Sequence, residues 1–196
     1  MIRMLSLLVT SVACLLSGFA VADDAKFTPL FDGKSLAGWK TIGDGTWKVA
    51  GGVIHGSSDT SQKRHGYLYT VKQYGDFVVR LEFKTASGDS GLYFRVERKD
   101  NELIGMQANI DPRGDTGGLY EIGGRKWVVR PKAEAVKKYF RPGEWNEMIV
   151  TARGRHITVR VNGILAAEVE NDTGRTRGQI AKQKVDVQFK DVELAK

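Results

Sequence analysis

The stretch Phe77-Val78-Val79-Arg80-Leu81-Glu82-Phe83-Lys84 decides the fold class of this chain. Phe77, Val79, Leu81 and Phe83 recur at every second position, with Arg80, Glu82 and Lys84 between them. Period two belongs to a strand with one buried and one solvated face; a helix repeats every three or four residues. The stretches that follow read the same way. From Leu92 to Glu97, Leu92, Phe94 and Val96 point to the core, while Tyr93, Arg95 and Glu97 point away. From Met106 to Asp111, Met106, Ala108 and Ile110 point in, leaving Gln107, Asn109 and Asp111 outside.

Short alternating runs split by Gly, Asn and Asp continue along the rest of the chain. Strands are expected at Thr46–Val53 and Val53–His55 around the Gly51-Gly52 turn, then at Tyr67–Thr70 and Phe77–Thr85. Others are expected at Gly91–Arg98, Gly105–Asp111, Trp145–Ala152, His156–Val161, Ile164–Val169 and Val185–Leu194. Asn162-Gly163 stands between two of these runs as a type I′ hairpin signal. Only Lys132–Tyr139 carries a short helical pattern. Many short strands with turns every few residues predict an all-β, two-sheet antiparallel sandwich.

The N-terminus has a different character. Arg3 precedes an apolar run from Leu5 to Phe19, and Ala20-Val21-Ala22 offers a small-x-small cleavage pattern before Asp23-Asp24. This reads as a signal peptide over residues 1–22, too short for a comfortable membrane span. It predicts export, periplasmic or secreted, with one domain over residues 23–196 and no membrane association after cleavage. Cleavage removes Cys14, the only cysteine. The mature chain then has no disulfide and depends on a hydrophobic core, for which its length suffices once. Loss of Arg3 from the 30 basic residues leaves 29 against 23 acidic ones. That excess is scattered through Lys63-Arg64, Lys137-Lys138 and Arg153–Arg155, without the concentrated stripe that nucleic acid requires.

If the three strands containing Glu82, Tyr93 and Gln107 are neighbours, one sheet face gathers carboxylate, guanidinium, phenol and amide groups. Sugar hydroxyls pair with planar polar groups, and sugar C–H faces rest on aromatic rings. An ordinary solvated face with cross-strand charge pairs is the competing reading.

Several segments, in order, resemble a known family. They are Leu30-Phe31-Asp32-Gly33-Lys34-Ser35-Leu36-Ala37-Gly38-Trp39, Gly88–Arg95, Gly105–Asp111 with Thr116–Tyr120, and Gly143-Glu144-Trp145-Asn146. Val161-Asn162-Gly163, Gly178-Gln179-Ile180 with Gln183, and Phe189-Lys190-Asp191-Val192 complete the series. Together they are similar to the 3-keto-disaccharide hydrolase domain family, over residues 27–194. The resemblance implies a concanavalin A-like jelly roll and action on glycosides oxidised at C3 of the sugar. It also implies a carbohydrate partner, a general base and a means of holding an enolate, with a divalent cation left open for the latter.

For those roles the sequence offers Glu82 as a mid-strand carboxylate, Arg95 to neutralise the enolate or grip hydroxyls, and Asp111 as base or metal ligand. Tyr93, Gln107 and Asn109 are expected to bind the sugar, and Trp127, in a loop stretch, to stack on it. Trp39, Trp47 and Trp145 read as packing aromatics, and the spacing of His55, His65 and His156 has no metal-ligand character. Asn109 departs from the family pattern, which has Glu there, and the turn after Gln183 is short and lacks a histidine. Both departures concern catalysis more than fold. The function classes are thus a 3-keto-glycoside hydrolase, a carbohydrate-binding module that lost the chemistry, and, with less support, a laminin-G-like adhesion domain.

Overall fold

A computed structural model describes residues 26–57, 66–183 and 187–196. The expected cleavage segment and His65 lie outside these residues. In chain order the elements are β1 (Thr28–Pro29), β2 (Trp39–Gly43), β3 (Thr46–Ala50), β4 (Val53–Ser57), β5 (Gly66–Tyr74), β6 (Phe77–Lys84), β7 (Ser90–Lys99) and β8 (Glu102–Ile110). They continue with β9 (Leu119–Ile122), β10 (Lys126–Val129), the single helical turn α1 (Ala133–Val136), β11 (Asn146–Arg153), β12 (His156–Val161), β13 (Ile164–Val169), β14 (Gly178–Gln183) and β15 (Val187–Ala195).

Two antiparallel sheets pack face to face. The first runs β13-β12-β11-β6-β15-β4-β3, with β1 paired to β15; the second runs β10-β9-β8-β7-β14-β5-β2. Phe77, Val79, Leu81 and Phe83 of β6 are all fully buried between them, as alternation required. Leu92 and Phe94 meet them from the other sheet, and the Phe77 and Phe94 rings form an edge contact at 6.0 Å. Val159 and Phe189 are fully buried in the same core. Each such side chain adds about 1.5–3 kcal/mol of burial. The α1 turn falls inside the stretch expected to be helical, and Val136 is its buried residue. Among the described residues no helix is long and apolar enough to cross a membrane.

One condition and one expectation about placement are not met. Strand β6 is not beside β7 and β8: it lies in the first sheet between β11 and β15, while β7 and β8 are neighbours in the second. The chain crosses between sheets after Lys84, and period two carries no information about that crossing. The stretch holding Trp127, expected as a loop, is strand β10.

The β7–β8 pair also breaks its own alternation. Phe94 faces Met106 and Glu97 faces Ile104, so Arg95 and Val96 together oppose the single residue Gly105. This is a β-bulge, and it bends its strand and increases the local twist. Arg95 adopts a left-handed φ of 51°, and Gly105 a φ of 141°. Beyond the bulge the hairpin curls back over the outer face of its own sheet. Tyr67 of β5, two strands from β7, donates a hydrogen bond from Oη to Glu102 Oε2 at 3.1 Å. Leu103 is fully buried in one cluster with Ile42, Tyr67, Tyr69, Tyr93, Val96 and Ala181. Val96, expected in the main core, belongs instead to this second cluster.

Candidate functional site

The register of the second sheet aligns one row of side chains across all seven strands. Lys40 faces Tyr69, Tyr69 faces Ala181, Ala181 faces Tyr93, Tyr93 faces Gln107, Gln107 faces Tyr120, and Tyr120 faces Trp127. These residues share the outer face, because Leu68, Leu92 and Ala108, one position along their strands, are in the core between the sheets. Four of the expected site residues, Tyr93, Gln107, Asn109 and Asp111, therefore do come together, and Trp127 ends their row. Glu82 and Arg95 do not join them.

The centre of the face is a buried polar network. Gln107 Nε2 donates to the Ser90 carbonyl at 2.8 Å. Gly91 makes this possible: a Cβ there would come within 2.5 Å of Gln107 Nε2. The Tyr93 hydroxyl donates to Gln183 Oε1, and its ring meets Tyr67 edge-on at 5.4 Å. Burial pushes both phenols above the ordinary tyrosine range, so they serve as neutral hydrogen-bond donors and not as bases. Asn109 is buried beside Gln107.

Asp111 follows the end of β8 and is buried, and its carboxylate is gripped from one side by Arg113. Oδ1 accepts from the Arg113 backbone N–H and Nε, each at 2.9 Å, and Oδ2 accepts from Nη2 at 2.8 Å and Nε at 3.1 Å. The Arg113 side chain is itself 73% exposed, so an accessible cation sits at the rim of the face. Thr116 ties the loop closed, its hydroxyl donating to the Asp111 carbonyl and accepting from the Asp111 N–H, both at 2.9 Å. Along the row, Tyr120 and Trp127 make an edge contact at 5.2 Å. The Arg130 guanidinium lies over the Trp127 ring at 5.0 Å and is held by Asp115 at 2.9 and 3.1 Å.

Glu82 sits on the opposite outer surface of the sandwich. It faces Lys190 and Glu147 on neighbouring strands and accepts an ion pair from Lys190 Nζ at 2.9 Å. Lys190 also lies 4.7 Å over the Trp145 ring, and Arg80 pairs with Glu193 at 3.2 Å. This is a cross-strand charge ladder.

Arg95 is 1% exposed. The bulge turns its side chain away from Tyr93 toward the carbonyls of Gly75 and Arg175 at 3.4–3.5 Å and toward Asp76 at 3.5 Å. It bolts the β5–β6 turn to the segment before β14.

His55 lies between Lys48 and Gln188 on the first sheet, and His156 pairs with Glu168 at 2.8 Å. Among the described residues no three His, Cys, Asp or Glu side chains converge as a cation needs, and Asp111 gives both oxygens to Arg113. The donor set of the described residues does not fit a divalent cation.

Tyr67, Tyr69, Gln183 and Arg113 also belong to the face, although the sequence does not single them out as site residues. The Tyr67-Leu68-Tyr69 alternation carries a signal for the two tyrosines. Nothing local marks Arg113.

No curated protein matches the chain. Among solved structures it is similar to a candidate glycosyl hydrolase from Parabacteroides distasonis, with 22% identity, a TM-score of 0.64, and coverage of 86% of this chain and 93% of that one. It is similar to the carbohydrate-binding module CBM66 from Bacillus subtilis at 19% identity and a TM-score of 0.62, covering 81% and 96%. A third likeness, at 14% identity and a TM-score of 0.67 over 87% and 94%, is to a Bacillus subtilis protein with a galectin-like fold. At these identities the likeness is one of fold, and it makes the architecture a jelly-roll sandwich of the concanavalin A-like kind. The model of the 3-keto-alpha-glucoside-1,2-lyase-like domain matches residues 26–195, and the chain belongs to that family.

Proposed function

We propose that this protein is an exported enzyme that cleaves glycosides oxidised at C3, and that the outer face of the β10–β2 sheet is its site. The observation that carries this reading is the convergence of Tyr93, Gln107, Asn109 and Asp111 on one face of a chain matched by the family model over residues 26–195. Phenols and amides suit sugar hydroxyls, and the tyrosines and Trp127 suit sugar C–H faces.

The chemistry follows from the ketone. A carbonyl at C3 acidifies the C2 proton. A base removes it, the electron pair forms the C1–C2 double bond, and the C1 substituent leaves. Water then adds across that double bond, so the net change is hydrolysis to a 3-keto sugar and the free leaving group. On this face the base is Asp111 and the electrophile is Arg113. When the exposed guanidinium shifts onto the C3 oxygen, it stabilises the developing enolate and frees an Asp111 lone pair for the C2 proton. Arg113 thus takes the role first expected of Arg95, which is buried away from the face. Incubation with a 3-keto-disaccharide should release both halves of the substrate, and a chelator-treated sample tests whether a cation takes part. Absence of turnover on every 3-keto-glycoside tried would sink the enzyme reading.

A second reading, a carbohydrate-binding module, is favoured by one feature. Asn109 replaces a carboxylate of the family pattern, and both oxygens of Asp111 are engaged by Arg113. It predicts sugar binding with no product at all.

A further inference from the structure

One carboxylate at the rim of the outer face takes no part in the elimination. The β7–β8 ladder ends on the pair Ser90–Ile110, and the next residue of each strand is an aspartate, Asp89 on one side and Asp111 on the other. Strand parity puts Asp89 on the side of Gly91 and Tyr93. The contacts agree: one end of the Asn109 amide stands 3.2 Å from Asp89 Oδ1. As a nitrogen, that end donates to Asp89 and, at 3.1 Å, to the Ser90 carbonyl; as an oxygen, it accepts from Gln107 Nε2 at 2.8 Å. Asp89 is exposed, so its carboxylate meets the buried amide pair from the solvent side.

The charge of Asp89 is felt by functional groups around it. Asp111 holds the Arg113 guanidinium above its ordinary range, and Asp89 and Asp115 add to that effect. Burial raises the Tyr93 phenol, and Tyr67 and Asp89 raise it further. Asp115 is clamped by Arg130 at 2.9 and 3.1 Å. Asp89 is therefore the second carboxylate beside the Asp111–Arg113 pair.

Elimination and hydration each need a base. After elimination Asp111 carries the C2 proton, so it cannot also take one from the water that must add at C1. We propose that Asp89 is the catalytic base of the hydration step, acting on the enone that Asp111 and Arg113 produce. The inference rests on the proposed function for the elimination that precedes it. Asp89 removes a proton from water while the water oxygen bonds to C1. The electrons of the C1–C2 double bond become the C2–C3 enolate, held at the C3 oxygen by Arg113, and C2 then takes the proton from Asp111. The proton on Asp89 passes to solvent, which supplied one to the departing oxygen, so the net reagent is a single water molecule.

A conjugated enone absorbs strongly in the ultraviolet, so the two steps can be read separately. Protein in excess over a 3-keto-disaccharide is followed for release of the leaving sugar, for the enone band and for the hydrated 3-keto sugar. The isolated enone is also offered directly. Asp89→Asn should release the leaving sugar within about threefold of the wild-type rate, accumulate enone, and form hydrated sugar about 10²–10⁴-fold more slowly. Asp89→Glu should recover part of the hydration, whereas Asp111→Asn should slow release without building up enone. If Asp89→Asn hydrates at the wild-type rate, or loses release as steeply as hydration, the role of Asp89 is overturned while the proposed function stands. If the wild type hydrates the enone, Asp89→Asn does not, and neither cleaves the ketosugar, Asp89 keeps its role and the proposed function fails. Wild-type protein that neither cleaves the ketosugar nor hydrates the enone overturns both.

Discussion

The side-chain nitrogen of Lys182 stands 4.7 Å from the ring centroid of Trp39, inside the core between the sheets. Phe189 lies at the same distance, and the nitrogen is fully buried with no hydrogen-bond partner among the described residues. Alternation along β14 leaves no choice: Ala181 and Gln183 face outward, so Lys182 faces in, opposite Leu68 and Leu92. The two ring faces offer the amine only weak electrostatic compensation for lost water.

Burial holds this amine well below the ordinary lysine value of 10.5. Between the lowered value and 10.5 the unfolded chain therefore binds the proton more tightly than the folded one. Stability should rise with pH across that window and level off below it. Lys182→Met removes the group, and should raise stability at neutral pH by about 1–3 kcal/mol and flatten the alkaline rise. Denaturant melts from pH 6 to 10 would show it. A wild-type curve already flat over that range would contradict the prediction.

The core makes a plainer prediction. Phe94 is fully buried and its ring meets Phe77 across the sandwich. Phe94→Ala should cost about 3–5 kcal/mol through lost transfer energy and the cavity left behind. Urea unfolding of the two proteins measures it directly, and a loss below ~1 kcal/mol would mean that the site collapses around the change.

Two carboxylates separate the site from the charge ladder. Asp111→Asn keeps the shape and part of the hydrogen bonding to Arg113 but removes the proton acceptor, so turnover of a 3-keto-glycoside should fall about 10²–10⁴-fold. Glu82→Gln lies on the far surface, where it breaks only a half-exposed pair with Lys190. Its effect on turnover should be negligible, with stability changed by less than ~1 kcal/mol. Equal losses in both variants would remove Asp111 from its role.

Export has its own measurement. With Ala20-Val21-Ala22 as the cleavage pattern, mass spectrometry of protein recovered outside the cytoplasm should find an N-terminus at or near Asp23 and no lipid. A lipid on Cys14 would reverse the expectation.

The sequence by itself determined which side chains of each strand share a side. Strand parity depends only on neighbours along the chain, and it correctly turned Phe77, Leu81, Phe94 and Phe189 inward and Tyr93, Gln107, Asn109 and Asp111 outward. Parity is silent about which strands become neighbours. Only the tertiary structure sent β6 to one sheet and β7 to the other, separating Glu82 from Tyr93 by the full thickness of the sandwich. Parity also fails where a residue is inserted. The bulge at Arg95 and Val96 reversed the side-chain phase, buried a guanidinium that alternation placed at the surface, and folded Glu102 and Leu103 over the tyrosines. Such a bend is set by contacts between segments far apart in sequence, here the carbonyls of Gly75 and Arg175 that hold Arg95, and no local pattern records them.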